Sequence, residues 1–75
     1  MRTLIEAPAY RINDEFTGLE GTVDKVVRQG QEWRVRIQGS FWTACSEVQY
    51  ILNQGDRIKV LYRDTHKLRL VIEPL

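Results

Sequence analysis

Between Trp33 and Ser46 the chain alternates so regularly that two strands, their turn and their buried face can be read together. Trp33-Arg34-Val35-Arg36-Ile37 sets apolar and basic side chains in turn, the period-two pattern of a strand with one face in a core. Beyond Gly39-Ser40, Trp42 and Ala44 alternate with Thr43 and Cys45. A two-residue turn at Gly39-Ser40, starting on a positive-φ glycine, pairs Ile37 with Trp42, Val35 with Ala44 and Trp33 with Ser46. All the large apolar groups but Phe41 then share one face, and Arg34 and Arg36 point to the other. A slip of one residue would expose both tryptophans, so the inward face is strongly specified.

A second hairpin follows the same arithmetic. Arg57 to Tyr62 and Leu68 to Ile72 flank a loop of Asp64, Thr65 and His66, closed by Arg63 and Lys67. The expected pairs are Tyr62 with Leu68, Val60 with Leu70 and Ile58 with Ile72, under an outer face of Arg57, Lys59, Arg63, Lys67 and Arg69. Upstream, Gly21 to Arg28 reads as a strand joined to Trp33 through Gln29-Gly30-Gln31. Its alternation breaks where Val26 and Val27 adjoin and Lys25 falls inward, which a β-bulge would repair. The fold class is therefore all-β: a three-strand meander, a short connector from Glu47 to Asp56 and a closing hairpin. That order fits a small five-stranded OB-fold barrel. The connector has room for two helical turns at most, with Tyr50, Ile51 and Leu52 plugging the open end. The expected core is Trp33, Val35, Ile37, Trp42, Ala44, Val60 and Leu70, with Trp42 its largest contributor.

The 75 residues make one domain, of a size that buries only about 60% of its unfolded surface. Residues 18–75 form the barrel and residues 1–17 an irregular arm or linker, interrupted by Pro8 and docked through Leu4, Ile5 and Tyr10. Eleven basic against ten acidic side chains leave a net charge of +1, too little to draw the chain to polyanions or anionic lipid in bulk. No apolar run approaches the roughly 20 residues that cross a bilayer, and no signal-peptide core follows Met1. Direct membrane insertion is not expected. The single cysteine, Cys45, forms no internal disulfide and fits a reducing, cytoplasmic setting. It reads as a small half-buried residue of the strand face opposite Trp42.

The inventory for catalysis is short. His66, the only histidine, falls at a hairpin tip, and Cys45 with His66 cannot complete a four-ligand zinc site. Ser46 has no base beside it in the sequence, Asp24, Glu32, Asp56 and Glu73 are scattered, and there is no Gly-rich phosphate loop. Glu32 is expected opposite Arg28. No enzyme activity, cofactor or metal is expected. Single-stranded nucleic acid is the competing reading, because OB barrels bind it on the face of their second and third strands. Arg34, Arg36, Phe41, Lys59, Arg63 and Arg69 would supply a basic face with one exposed aromatic. Stacking platforms offer several aromatics, however, and Trp33, Trp42 and Tyr62 all fall inward. An alternating basic residue is more simply a solvated face that discourages edge pairing.

Gly18-Leu-Glu-Gly21-Thr-Val23, Gly30, Gly39-Ser-Phe-Trp42-Thr-Ala44-Cys-Ser46, Ile51-Leu-Asn-Gln-Gly55-Asp-Arg-Ile-Lys-Val60 and Leu68-Arg-Leu-Val-Ile-Glu73-Pro74-Leu75 follow one another in order. This series resembles the soluble C-terminal domain of the NfeD family over residues 16–75. The tryptophan-alanine-serine core within that order of glycines carries the resemblance; Arg28-Gln29 stands where the family commonly has a proline. The resemblance implies an OB-fold interaction domain without catalytic residues, working beside stomatin-, prohibitin- or flotillin-type membrane proteins. It would place the chain at the membrane through a partner or through a membrane-spanning region outside these residues. The contact surface would then lie outside the core, with Phe41, Leu61 and Val71 as outward apolar groups and Lys59 and Arg69 beside them. An open barrel edge, extended by strand addition, is the alternative contact.

Overall fold

The computed structural model describes residues 11–75, so the expected docking of Leu4, Ile5 and Tyr10 lies outside the described residues. Six strands form: β1 (Arg11–Ile12), β2 (Glu20–Arg28), β3 (Glu32–Ile37), β4 (Ser40–Cys45), β5 (Arg57–Asp64) and β6 (Arg69–Pro74). β2, β3 and β4 make the meander, β6 lies parallel to β4, and β5 pairs with both β6 and β2. That closes a five-strand barrel with the connectivity of an OB fold. β1 adds a two-residue strand to β5, setting Arg11 opposite Asp64 and Ile12 opposite Arg63. Part of the segment expected as an irregular arm is thus hydrogen-bonded to the barrel.

Val23, Trp33, Val35, Ile37, Ala44, Ile58, Val60, Leu70 and Ile72 point into the barrel and are buried. Trp33 is fully buried, whereas Trp42 is half-buried and packs against this cluster from its edge. The expectation that Trp42 is the largest core contributor is corrected in favour of Trp33. Trp33 stands opposite Ala44 in β4 and Val26 in β2, and the small Ala44 leaves room for its indole. Trp42 meets Phe16 edge-on, with ring centroids 4.7 Å apart and planes at 70°. A turn holds Phe16 there: Asp14 Oδ1 accepts from the Phe16 amide at 2.9 Å, and Asp14 Oδ2 from Arg63 Nε at 2.7 Å. Phe16 thereby covers the exposed side of Trp42.

The hairpin turn lies one residue earlier than expected. Gln38 and Gly39 are its central pair, with φ of 50° and 85°, the two positive values that a type I′ turn requires. Ile37 therefore faces Ser40, Val35 faces Trp42 and Trp33 faces Ala44. Moving the turn by one residue shifts the partner strand by two, so every side chain keeps its expected face. Gln38 holds a conformation that side chains with a Cβ disfavour. Gln38→Gly is expected to stabilise the fold by about 0.5–1 kcal/mol, read as a higher urea midpoint with an unchanged slope.

The bulge expected in β2 is present, and the register shifts twice. One shift falls between Val23 and Lys25, the other between Val26 and Arg28. The first returns Lys25 outward and Val26 inward; after the second, Arg28 faces Glu32 as expected. The closing hairpin departs further. Its pairs are Ile58 with Pro74 and Val60 with Ile72, then, beyond a bulge at Leu61, Tyr62 with Val71 and Asp64 with Arg69. Leu68, expected inward, lies in the loop with φ of 56° and is 79% exposed. Asp64, expected in the loop, ends β5 and is buried, its Oδ1 accepting the His66 and Lys67 amides at 3.0 and 3.1 Å.

The connector carries no helix. Leu52 is buried and Tyr50 packs on the core, but Ile51 is 72% exposed and plugs nothing. The Gln29 side-chain amide grips Leu52 as a strand neighbour would, donating to its carbonyl at 3.1 Å and accepting from its amide at 3.2 Å. Val23 and Gly55–Asp56 exchange a further pair of backbone bonds, so the connector ends as a short extension beside β2.

Candidate interaction surface

The described residues offer little to a small substrate. No pocket opens among them, and they hold no group of three or more His, Cys, Asp or Glu side chains able to take a metal ion. No helix among them is long and apolar enough to cross a membrane. The carboxylates instead serve the fold. Asp24 binds Arg34 at 2.6 Å, Glu20 binds Arg57 at 3.0 Å, and Asp56 accepts the Asn53 amide at 2.8 Å. The Ser46 hydroxyl donates to the Val48 carbonyl.

Cys45 is buried at the end of β4, opposite Val71 of β6. Sequence alternation placed it on a half-buried outer face; the parallel closure by β6 covers it. Burial raises its thiol pKa, only partly opposed by the Arg69 cation. The thiol is therefore a weak nucleophile, and its alkylation by iodoacetamide at mildly alkaline pH is expected to be far slower in the folded chain than in urea. A folded-state pKa above the unfolded one contributes stability at neutral pH that is lost as pH rises through the folded value. Cys45→Ala is expected to remove that part of the alkaline destabilisation, seen by comparing melts on either side of the thiol range.

The five residues expected to form a contact surface are not brought together. Val71, expected outward, is 3% exposed and lies between Cys45 and Tyr62. Covered between those two neighbours where β6 closes on β4, Val71 cannot serve as a contact. Leu61 is half-buried at that bulge, and Lys59 stands between Glu20 and Glu73 in register. Arg69 is mostly covered, with Nε 3.8 Å from Asp64. Phe41 lies at the other end of β4 from the Cys45–Val71 pair, about 13 Å away along the strand.

Phe41 keeps other company. It is 53% exposed, directly opposite Arg36, and has the Arg34 guanidinium carbon 4.9 Å and the Arg36 carbon 5.8 Å from its ring centroid. Both contacts lie within cation–π range. Arg34 is further fixed by two bonds to Asp24, from Nε at 2.8 Å and Nη2 at 2.6 Å. The sequence shows these residues alternating outward; only the register, with Arg36 opposite Phe41, makes them one cluster.

Fold and surface together define a small OB-fold barrel whose only large exposed aromatic is framed by two arginines among the described residues. No protein-family model matches the sequence, and no curated protein matches it either. Among solved structures, the chain is similar to the C-terminal domain of stomatin operon partner protein 1510-C from Pyrococcus horikoshii. The two are 26% identical, with a TM-score of 0.69, over 81% of this chain and 89% of that one. The resemblance to the NfeD C-terminal domain that the sequence carries therefore holds in three dimensions.

Proposed function

We propose that this chain is a non-catalytic adaptor domain that works with a stomatin-, prohibitin- or flotillin-type membrane protein. The observation that carries this reading is the likeness in fold, over most of both chains, to a domain of a stomatin operon partner protein. The carboxylates engaged in ion pairs and caps, and the buried thiol with its raised pKa, are consistent with binding rather than catalysis. Its place is the cytoplasmic side of a membrane, reached through the partner. Of the three apolar residues expected at the contact, Phe41, which is exposed, and Leu61, which is half-buried, are the two that can still make it.

A pull-down from detergent-solubilised membranes tests this. The wild-type chain is expected to retain a stomatin-, prohibitin- or flotillin-type protein, and Phe41→Ser/Leu61→Ser to lose it. Retention of no such protein sinks the reading. Labelled oligonucleotides at two salt concentrations are expected to show no sub-micromolar binding. Tight, steeply salt-dependent binding that is lost in Arg34→Ala would make the barrel a single-strand binder instead.

A further inference from the structure

The outward face of β3 and β4 carries more than an exposed ring. Arg34 and Arg36 gather about Phe41, with Arg36 opposite it in register, and Lys25 lies on the far side of Arg34 in β2. The acid that reaches this group, Asp24, is already engaged by Arg34. Among the described residues Arg36 has no ion-pair partner, although the Phe41 ring holds its guanidinium in place. A guanidinium oriented beforehand loses little side-chain freedom when it takes a carboxylate in a two-bond fork. Phe41 beside it offers apolar area to a neighbouring aliphatic or aromatic group.

From this we infer that the β3–β4 face docks an acidic segment of a protein partner, with a carboxylate on Arg36 and an apolar side chain on Phe41. The inference deepens the adaptor reading and rests on it. Charge complementarity selects the occupant, and the surrounding ion pairs argue for a short peptide over a nucleic acid strand. A phosphodiester backbone follows a continuous track of cations. Here the next arginines each face an acid: Arg57 faces Glu20 at 3.0 Å, Arg63 faces Asp14 at 2.7 Å and Arg69 faces Asp64 at 3.8 Å. A short acidic segment needs only the cluster.

Panning a displayed library of short random peptides against the immobilised full chain tests the assignment. Enriched sequences are expected to pair Asp or Glu with Leu, Phe or Trp. A synthetic copy is expected to shift the amide resonances of Arg34, Arg36, Phe41 and Thr43. Arg36→Gln, with an unchanged melt, should weaken that peptide about tenfold, as should replacing its acids by amides, while Lys59→Gln changes it less than about twofold. No enrichment, enrichment without acids, resonance shifts elsewhere, or indifference to Arg36→Gln would each overturn the assignment. So would displacement of the peptide by oligothymidylate or by phosphatidylserine vesicles that bind more tightly. The two readings fail separately. If a stomatin-type protein is retained equally by wild type and Arg36→Gln, the adaptor role stands and this surface does not. If acidic peptides dock here but no stomatin-type protein is retained, the surface stands with another partner.

Discussion

Trp33→Ala is expected to abolish cooperative unfolding of this domain at room temperature. The indole is fully buried between Val26 of β2 and Ala44 of β4. Deleting so large a side chain from a core costs about 3–5 kcal/mol, against a total stability of roughly 4–11 kcal/mol for a chain of this length. Far-ultraviolet circular dichroism through a urea titration reads the loss directly. Two companions locate the cause. Trp33→Phe should cost less, since it keeps one aromatic ring in the core, and the only polar group it removes, the indole N–H, has no acceptor among the described residues. Trp42→Ala should also cost less, because Trp42 is half-buried and leans on Phe16 at the barrel's edge. If Trp42→Ala proved the more damaging, the barrel would be centred differently.

Gly21→Ala is the second large expected effect, and it acts through the backbone. A Cβ at Gly21 would lie 2.2 Å from the Arg36 carbonyl oxygen and 2.4 Å from Ile37 Cδ1. The first is a main-chain atom of the neighbouring strand and cannot swing aside. Gly21 sits where β2 passes from one partner to the other: Glu20 to Thr22 pair with β5, and Thr22 to Arg28 with β3. A side chain there would push β3 from β2 at the bend that lets the barrel close. The expected cost is about 3 kcal/mol, measured as a drop in urea midpoint. Gly39→Ala, where no atom lies within 4 Å of the added Cβ, separates crowding from backbone conformation. A Gly21→Ala chain as stable as wild type would mean that the two strands do not approach so closely.

Much of this architecture is legible in the sequence because alternation is a local signal. The inward positions Trp33, Val35, Ile37, Ala44, Val60 and Leu70 follow from period two, and so does the order of meander, connector and hairpin. Pairing is less secure. A hairpin whose turn moves by one residue shifts its partner by two, and alternation looks the same before and after. The Gly39-Ser40 and Gln38-Gly39 turns therefore bury the same side chains, and only the positive φ of Gln38 distinguishes them. Bulges are harder still. The adjoining Val26 and Val27 betray the irregularity in β2; in β5 the run Val60-Leu61-Tyr62 breaks the alternation too, but it reads equally as a regular strand with Leu61 outward, and only the pairing with β6 shows the extra residue.

The amino-acid sequence by itself thus determined the strand faces, the core they enclose and the likeness to the NfeD domain. These depend on residue spacing within a few positions. Tertiary structure decided what lies across the barrel: the parallel contact of β4 with β6 that buries Cys45 and Val71, and the Phe16 contact that covers Trp42. It also decided the pairing that sets Arg36 opposite Phe41. Each of these joins segments distant in the chain or hangs on one bulge or turn residue. Their free energy comes from closing the barrel rather than from any local preference, and no local pattern records it.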